Sequence, residues 1–88
     1  MAKYVMFDSP LHGEIPIIFP ECINHAEIAH SIVHRYPGWK IVSAGFVSLQ
    51  EDEPLKVFGK SKTLEKLSEK HISRKIDDLI IETALKHY

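Results

Sequence analysis

Eighty-eight residues, 44% of them hydrophobic and 26% charged, with a net charge of −1, describe one globular domain with a small core. The single cysteine, Cys22, excludes an internal disulfide and a C-x-x-C zinc site, and a small domain without such staples fits a reducing cytoplasm. No apolar run approaches the roughly 20 residues of a membrane span, and Met1 to Val5 lead into strand-like sequence with no signal-peptide core.

Tyr4-Val5-Met6-Phe7 is a short β-favouring run, followed by turn chemistry at Asp8-Ser9-Pro10 and His12-Gly13. Ile15-Pro16-Ile17-Ile18-Phe19 is a second such run. Its Pro16 has no N–H to give, so the strand should lie at a sheet edge or begin at Ile17. A first helix is predicted over 24–36. Asn24 is a good N-cap, Glu27 sits at the capping-box position, Ile23 and Ile28 are spaced for a hydrophobic staple, and Pro37-Gly38 ends it.

Trp39 to Ser43 reads as a strand that Ala44 to Leu49 continues or turns from, with Gly45 marking a bulge. Gln50 to Pro54 is a polar loop, and Leu55 to Gly59 a short strand. Thr63 is placed to cap a short helix through Leu64 to Leu67, or that stretch is an ordered loop. A second helix is predicted over 73–87, capped by Ser73. Ile76, Leu79, Ile80, Thr83 and Ala84 form its inward stripe, extended by Ile72 and His87. The expected fold is α+β, a three- to four-stranded, mostly antiparallel sheet with both helices packed on one face, in one domain over 1–88.

Ile81 and Leu85 fall outside that stripe, and a helix on a lone small domain does not need them. They are the expected self-association patch of a homodimer, with Trp39 as a further interface residue. A small domain without staples gains stability from such pairing.

Charge is unevenly distributed. Residues 1–55 carry three cations against seven acids (−4), 56–75 seven against two (+5), and 76–88 one against three (−2). The basic stretch supplies Lys60, Ser61, Lys62, Thr63, Lys66 and Arg74 as an alternative site for an anion or nucleic acid. The P-loop spacing is absent, no nucleic-acid reader motif is present, and lysine and glutamate alternate as on a solvated helix. Nucleic acid is therefore a partner that the sequence permits and does not favour.

Glu27, His30 and His34 project from one polar helix face at a spacing that permits a metal, although a solvated face is the explanation the residue types favour. His25 belongs to the apolar side at the helix start, half-buried with a local hydrogen bond. Cys22 has His25 three residues on, but a nucleophilic pair needs a pocket and an orienting group that a chain of this length has little room to build. No catalytic residue and no cofactor are expected.

Taken together, Tyr4-Val5-Met6-Phe7, Gly13-Glu14-Ile15-Pro16-Ile17-Ile18-Phe19-Pro20, His25-x-Glu27-Ile28-Ala29, Val42-Ser43-Ala44-Gly45-Phe46-Val47 and Gly59-x-Ser61-x-Thr63-Leu64 resemble small uncharacterised proteins of bacteriophages and prophages. The resemblance covers about residues 3–64. It implies a phage-encoded accessory protein in a bacterial host cytoplasm that binds a host protein, with counter-defence of the anti-CRISPR kind or regulation as its use. It carries no catalytic residue.

Overall fold

The computed structural model describes residues 1–49, 54–61 and 72–86. Strands β1 (Ala2–Ser9) and β2 (Gly13–Pro20) form a hairpin, followed by helix α1 (His25–Arg35), strand β3 (Lys40–Ser48), the short strand β4 (Lys56–Phe58) and helix α2 (Asp77–Lys86). The strands make one antiparallel sheet in the order β2-β1-β3-β4. The expected α+β class holds. The expected short helix near 64–67 lies outside the described residues, as do His71 and His87.

One part of the expected architecture is corrected: the helices do not share a face. Tyr4, Val5, Met6 and Phe7 are all fully buried, which a strand achieves only when both faces of its sheet are covered. Val5 and Phe7 point with Phe19, Ala29 and Ala44 into a core beneath α1. Tyr4 and Met6 point with Val47 and Ile81 into a second core beneath α2. The alternation of side chains along β1 thus builds two cores.

The sheet also owes its packing to a bulge, and it is not at Gly45. Met6 pairs with Ser43 and Phe7 with Ile41, so Val42 is the extra residue. Val42 and Ser43 consequently turn toward the α2 side, while Ile41 stays with Phe7 on the α1 side. Gly45 serves another purpose. A Cβ there would sit 2.6 Å from the Phe58 carbonyl oxygen and 3.0 Å from the Ser73 Cβ. Only glycine lets the end of β4 and the segment entering α2 pass so close to the sheet.

Helix α1 begins as expected, with the Asn24 side chain accepting from the Glu27 N–H at 2.8 Å. It closes at Tyr36, whose N–H donates to the Ile32 carbonyl at 2.8 Å. Pro16 lies in the edge strand β2 opposite Met6, where a missing N–H is tolerated. Among the described residues, no helix is long and apolar enough to cross a membrane.

Candidate functional site

The site is built from one carboxylate. Asp77 opens α2 and is fully buried. It accepts hydrogen bonds from the Tyr4 hydroxyl at 2.6 Å, from the Ser43 hydroxyl at 2.7 Å and from Arg74, through the backbone N–H at 3.0 Å and Nε at 2.9 Å. The Asp77 N–H returns a bond to the Arg74 carbonyl at 3.0 Å, so the pair caps the helix reciprocally. The Arg74 Nη2 lies 2.8 Å from both Asp77 and Glu14, which ties α2 to β2 as well as to β1 and β3.

Burial pushes the Asp77 carboxyl up, but the donors from Tyr4, Arg74 and Ser43 outweigh it and hold it below its ordinary value. Burial raises the Tyr4 phenol strongly, and the neighbouring carboxylate raises it further. Tyr4 therefore remains a donor and Asp77 an acceptor throughout the neutral range.

This polar pin sets how α2 is turned. With Asp77 inward, the buried side runs through Ile80, Ile81 and Ala84, at i, i+3, i+4 and i+7. The expected inward stripe is therefore off by about one residue position, near 100° of rotation. Ile81 is fully buried against Tyr4, Met6 and Val47, so its assignment to a self-association patch is corrected. Residues expected inside stand outside instead: Ile72 is 60% exposed, Ile76 53% and Leu79 61%. Leu85, expected outside, is 42% exposed.

The outward side of α2 adjoins a cleft. Glu14 and Pro16 of β2 face Ile76, Leu79, Ile80, Thr83 and Ala84 across a space of about 350 Å³. A second hollow of about 260 Å³, between Pro16, Ile17, Ile18, Ala84 and Leu85, continues it along the same seam. The result is an apolar groove with large apolar side chains projecting beside it.

The remaining expected sites fare differently. Arg74 is engaged internally and Ser61 is fully buried, so neither offers itself to an anion. Lys60 bridges to Ile72 through its backbone, and Lys62, Thr63 and Lys66 lie outside the described residues. Glu27, His30 and His34 are exposed on α1, and they form no metal-holding cluster; among the described residues no group of three or more His, Cys, Asp and Glu does. Cys22 is exposed.

His25 is deeper than expected. Its Nε2 lies 2.8 Å from the Gly45 carbonyl oxygen, and its ring meets Phe19 and Phe46 edge-on, each at 5.6 Å. Burial lowers its pKa, and the acceptor at Gly45 only partly offsets this. It is a neutral core residue that joins α1 to β3. Trp39 is half-buried, tilted on Phe7 at 5.9 Å and stacked on Tyr36 at 4.9 Å.

Asp77 is what sequence reasoning missed. The expected stripe left it out because it is charged, yet the spacing Asp77, Ile80, Ile81, Ala84 is the signal that would have turned the helix correctly. Comparisons with family models, with curated proteins and with solved structures found no match.

Proposed function

We propose that this is a non-enzymatic interaction protein that pairs with a second copy of itself through the outward side of α2 and, in that form, binds a host macromolecule. The supporting observation is the apolar surface of Ile76 and Leu79 beside the α2–β2 groove. Large exposed apolar surfaces beside a concavity mark association sites. A two-fold interface requires one patch to carry both projections and hollows, because each copy presents the same surface. This patch has both: Leu79 and Ile76 project, and the groove lined by Pro16 and Ala84 receives.

Pairing through the β2 edge is less suited. The ladder with β1 runs unbroken past Pro16, so its ring nitrogen belongs on the outward side. Pro20 shares that parity, and half of the outward donors among Glu14, Pro16, Ile18 and Pro20 are therefore missing. The resemblance to phage and prophage proteins supports a bacterial host protein as the further partner, with counter-defence or regulation as its use.

The test is the mass in solution of the wild type and of Leu79→Asp across micromolar to millimolar concentration, by light scattering after size exclusion. The reading expects a dimer that Leu79→Asp converts to a folded monomer. A wild type that stays monomeric throughout overturns the self-association.

A further inference from the structure

The end of the sheet at the β1–β2 turn carries a further concavity, of about 390 Å³, which shares no lining residue with the α2 groove. The β1–β2 turn contributes Pro10 and Leu11, and the exit of α1 contributes Arg35, Tyr36, Pro37 and Trp39, with His12 completing the lining. Both walls are fixed. The His12 N–H donates to the buried Ser9 hydroxyl at 2.9 Å, which sets the turn. The Trp39 N–H donates to the Tyr36 carbonyl at 3.1 Å, and a Cβ on Gly38, at φ 102°, would meet the Pro10 Cγ at 3.5 Å. Leu11 stands at the turn's tip, 89% exposed.

Charge gives this hollow a preference. Residues 1–55 hold only three cations, and two of them, Arg35 and Lys40, flank the Tyr36–Trp39 pair. The Arg35 guanidinium lies over the Tyr36 ring, 6.0 Å from its centre, and among the described residues no carboxylate pairs with it. Lys40 is exposed, with Asp8 opposite it in the β1–β3 register as the neighbouring acid. Apart from His12, the rest of the lining is apolar or aromatic. The Tyr36 and Trp39 rings stack on each other at 24°, and Trp39 also meets Phe7, so the aromatic pair forms a fixed apolar wall of the hollow. A largely apolar hollow rimmed by the Arg35 guanidinium suits an apolar side chain with carboxylates beside it.

We infer that the hollow between the β1–β2 turn and the end of α1 is a docking site for an acidic peptide segment of a partner protein, with one leucine or aromatic side chain seated against Trp39 and flanking carboxylates on Arg35 and Lys40. This rests on the reading of the protein as a binder and names the surface and chemistry of its partner. It does not depend on the α2 contact.

Trp39 is the only tryptophan, so its emission reports the site directly. The wild-type protein is used to select from a displayed library of random dodecapeptides, and selected peptides are titrated while Trp39 emission is followed. Enriched sequences should share an apolar or aromatic anchor within a cluster of Asp and Glu and should shift the emission saturably. Arg35→Gln, an exposed change that leaves the circular dichroism spectrum unaltered, should weaken binding about tenfold, and Leu11→Ser should weaken it too. No enrichment, enrichment of basic or neutral peptides, or equal binding by Arg35→Gln overturns the inference. So does saturable quenching by oligothymidylate in place of peptide, which would assign the hollow to nucleic acid. Failure here with a dimer that Leu79→Asp disrupts leaves the α2 reading standing; a monomeric wild type with acidic-peptide binding leaves this one.

Discussion

Tyr4 and Asp77 are 73 residues apart and joined by a 2.6 Å hydrogen bond inside the protein. One belongs to the first strand and the other to the last helix, so the bond closes nearly the whole chain. Asp77→Ala removes the shared acceptor of Tyr4, Ser43 and Arg74 and leaves four donor groups on these three residues without it. Breaking a buried charged pair in this way costs about 3–5 kcal/mol, most of the stability of a domain this size. Tyr4→Phe removes one donor and should cost about 1–3 kcal/mol. Urea unfolding of both variants measures the difference. An Asp77→Ala variant as stable as the wild type would show that the carboxylate is not what anchors α2.

Most of the fold is legible in the sequence because its local signals agree with its tertiary contacts. Asn24 and Pro37-Gly38 bracket α1, Pro16 marks an edge, and the strands follow their apolar runs. What was not legible is wherever a polar group is buried or an apolar group exposed. Asp77 disguises the inner face of α2, so Ile81 looked spare and Leu79 looked internal. His25 likewise finds its partner at Gly45, a distance in sequence that no helical pattern encodes. The two-sided covering of the sheet was equally hidden, although Tyr4-Val5-Met6-Phe7, apolar on both parities, carries its signature. The candidate groove depends on the rotation of one helix, and so on a single buried carboxylate.

Ile81 and Leu79 should therefore respond oppositely to the same chemical change. Ile81→Asp places an unpaired charge among Tyr4, Met6 and Val47, at a cost above about 4 kcal/mol, and should give an unfolded or insoluble protein. Leu79→Asp, on the outward side, should change the thermal midpoint little as a monomer while abolishing self-association. Circular dichroism paired with light scattering separates the two. A folded, monomeric Ile81→Asp would reverse the orientation assigned to α2.

Acid should weaken the protein in two steps. His25 has a folded pKa below its ordinary 6.5, because burial disfavours the charged ring. As pH falls below 6.5 the unfolded chain takes up a proton that the folded chain refuses, so stability drops until the folded pKa is reached, by up to about 1.4 kcal/mol per pH unit. Asp77 has a folded pKa below its ordinary 3.8, so its contribution is intact above 3.8 and is lost as pH falls through the lower folded value. Urea midpoints from pH 8 to 3 should show the first loss beginning near 6.5. His25→Gln, which keeps a donor for the Gly45 carbonyl, should flatten that step and leave the second. If the wild-type midpoint is level between pH 7 and 5, His25 is not buried neutral.

Gly45 offers a test of the close approach that brings α2 to the sheet. Gly45→Ala sets a methyl 2.6 Å from the Phe58 carbonyl oxygen and 3.0 Å from the Ser73 Cβ. The first neighbour is backbone and cannot swing aside, so β4 or the 72–74 segment must move. Overpacking of this kind costs about 1–3 kcal/mol. The displacement should reach Arg74 and Asp77, because Ser73 is held by its N–H on the Gly59 carbonyl at 2.9 Å and the arginine follows directly. Gly45→Ala should accordingly raise the exchange rate of the Arg74 and Asp77 amide protons more than that of α1 amides. Equal protection of both groups, with unchanged stability, would mean that the segment entering α2 does not pass over Gly45 in solution.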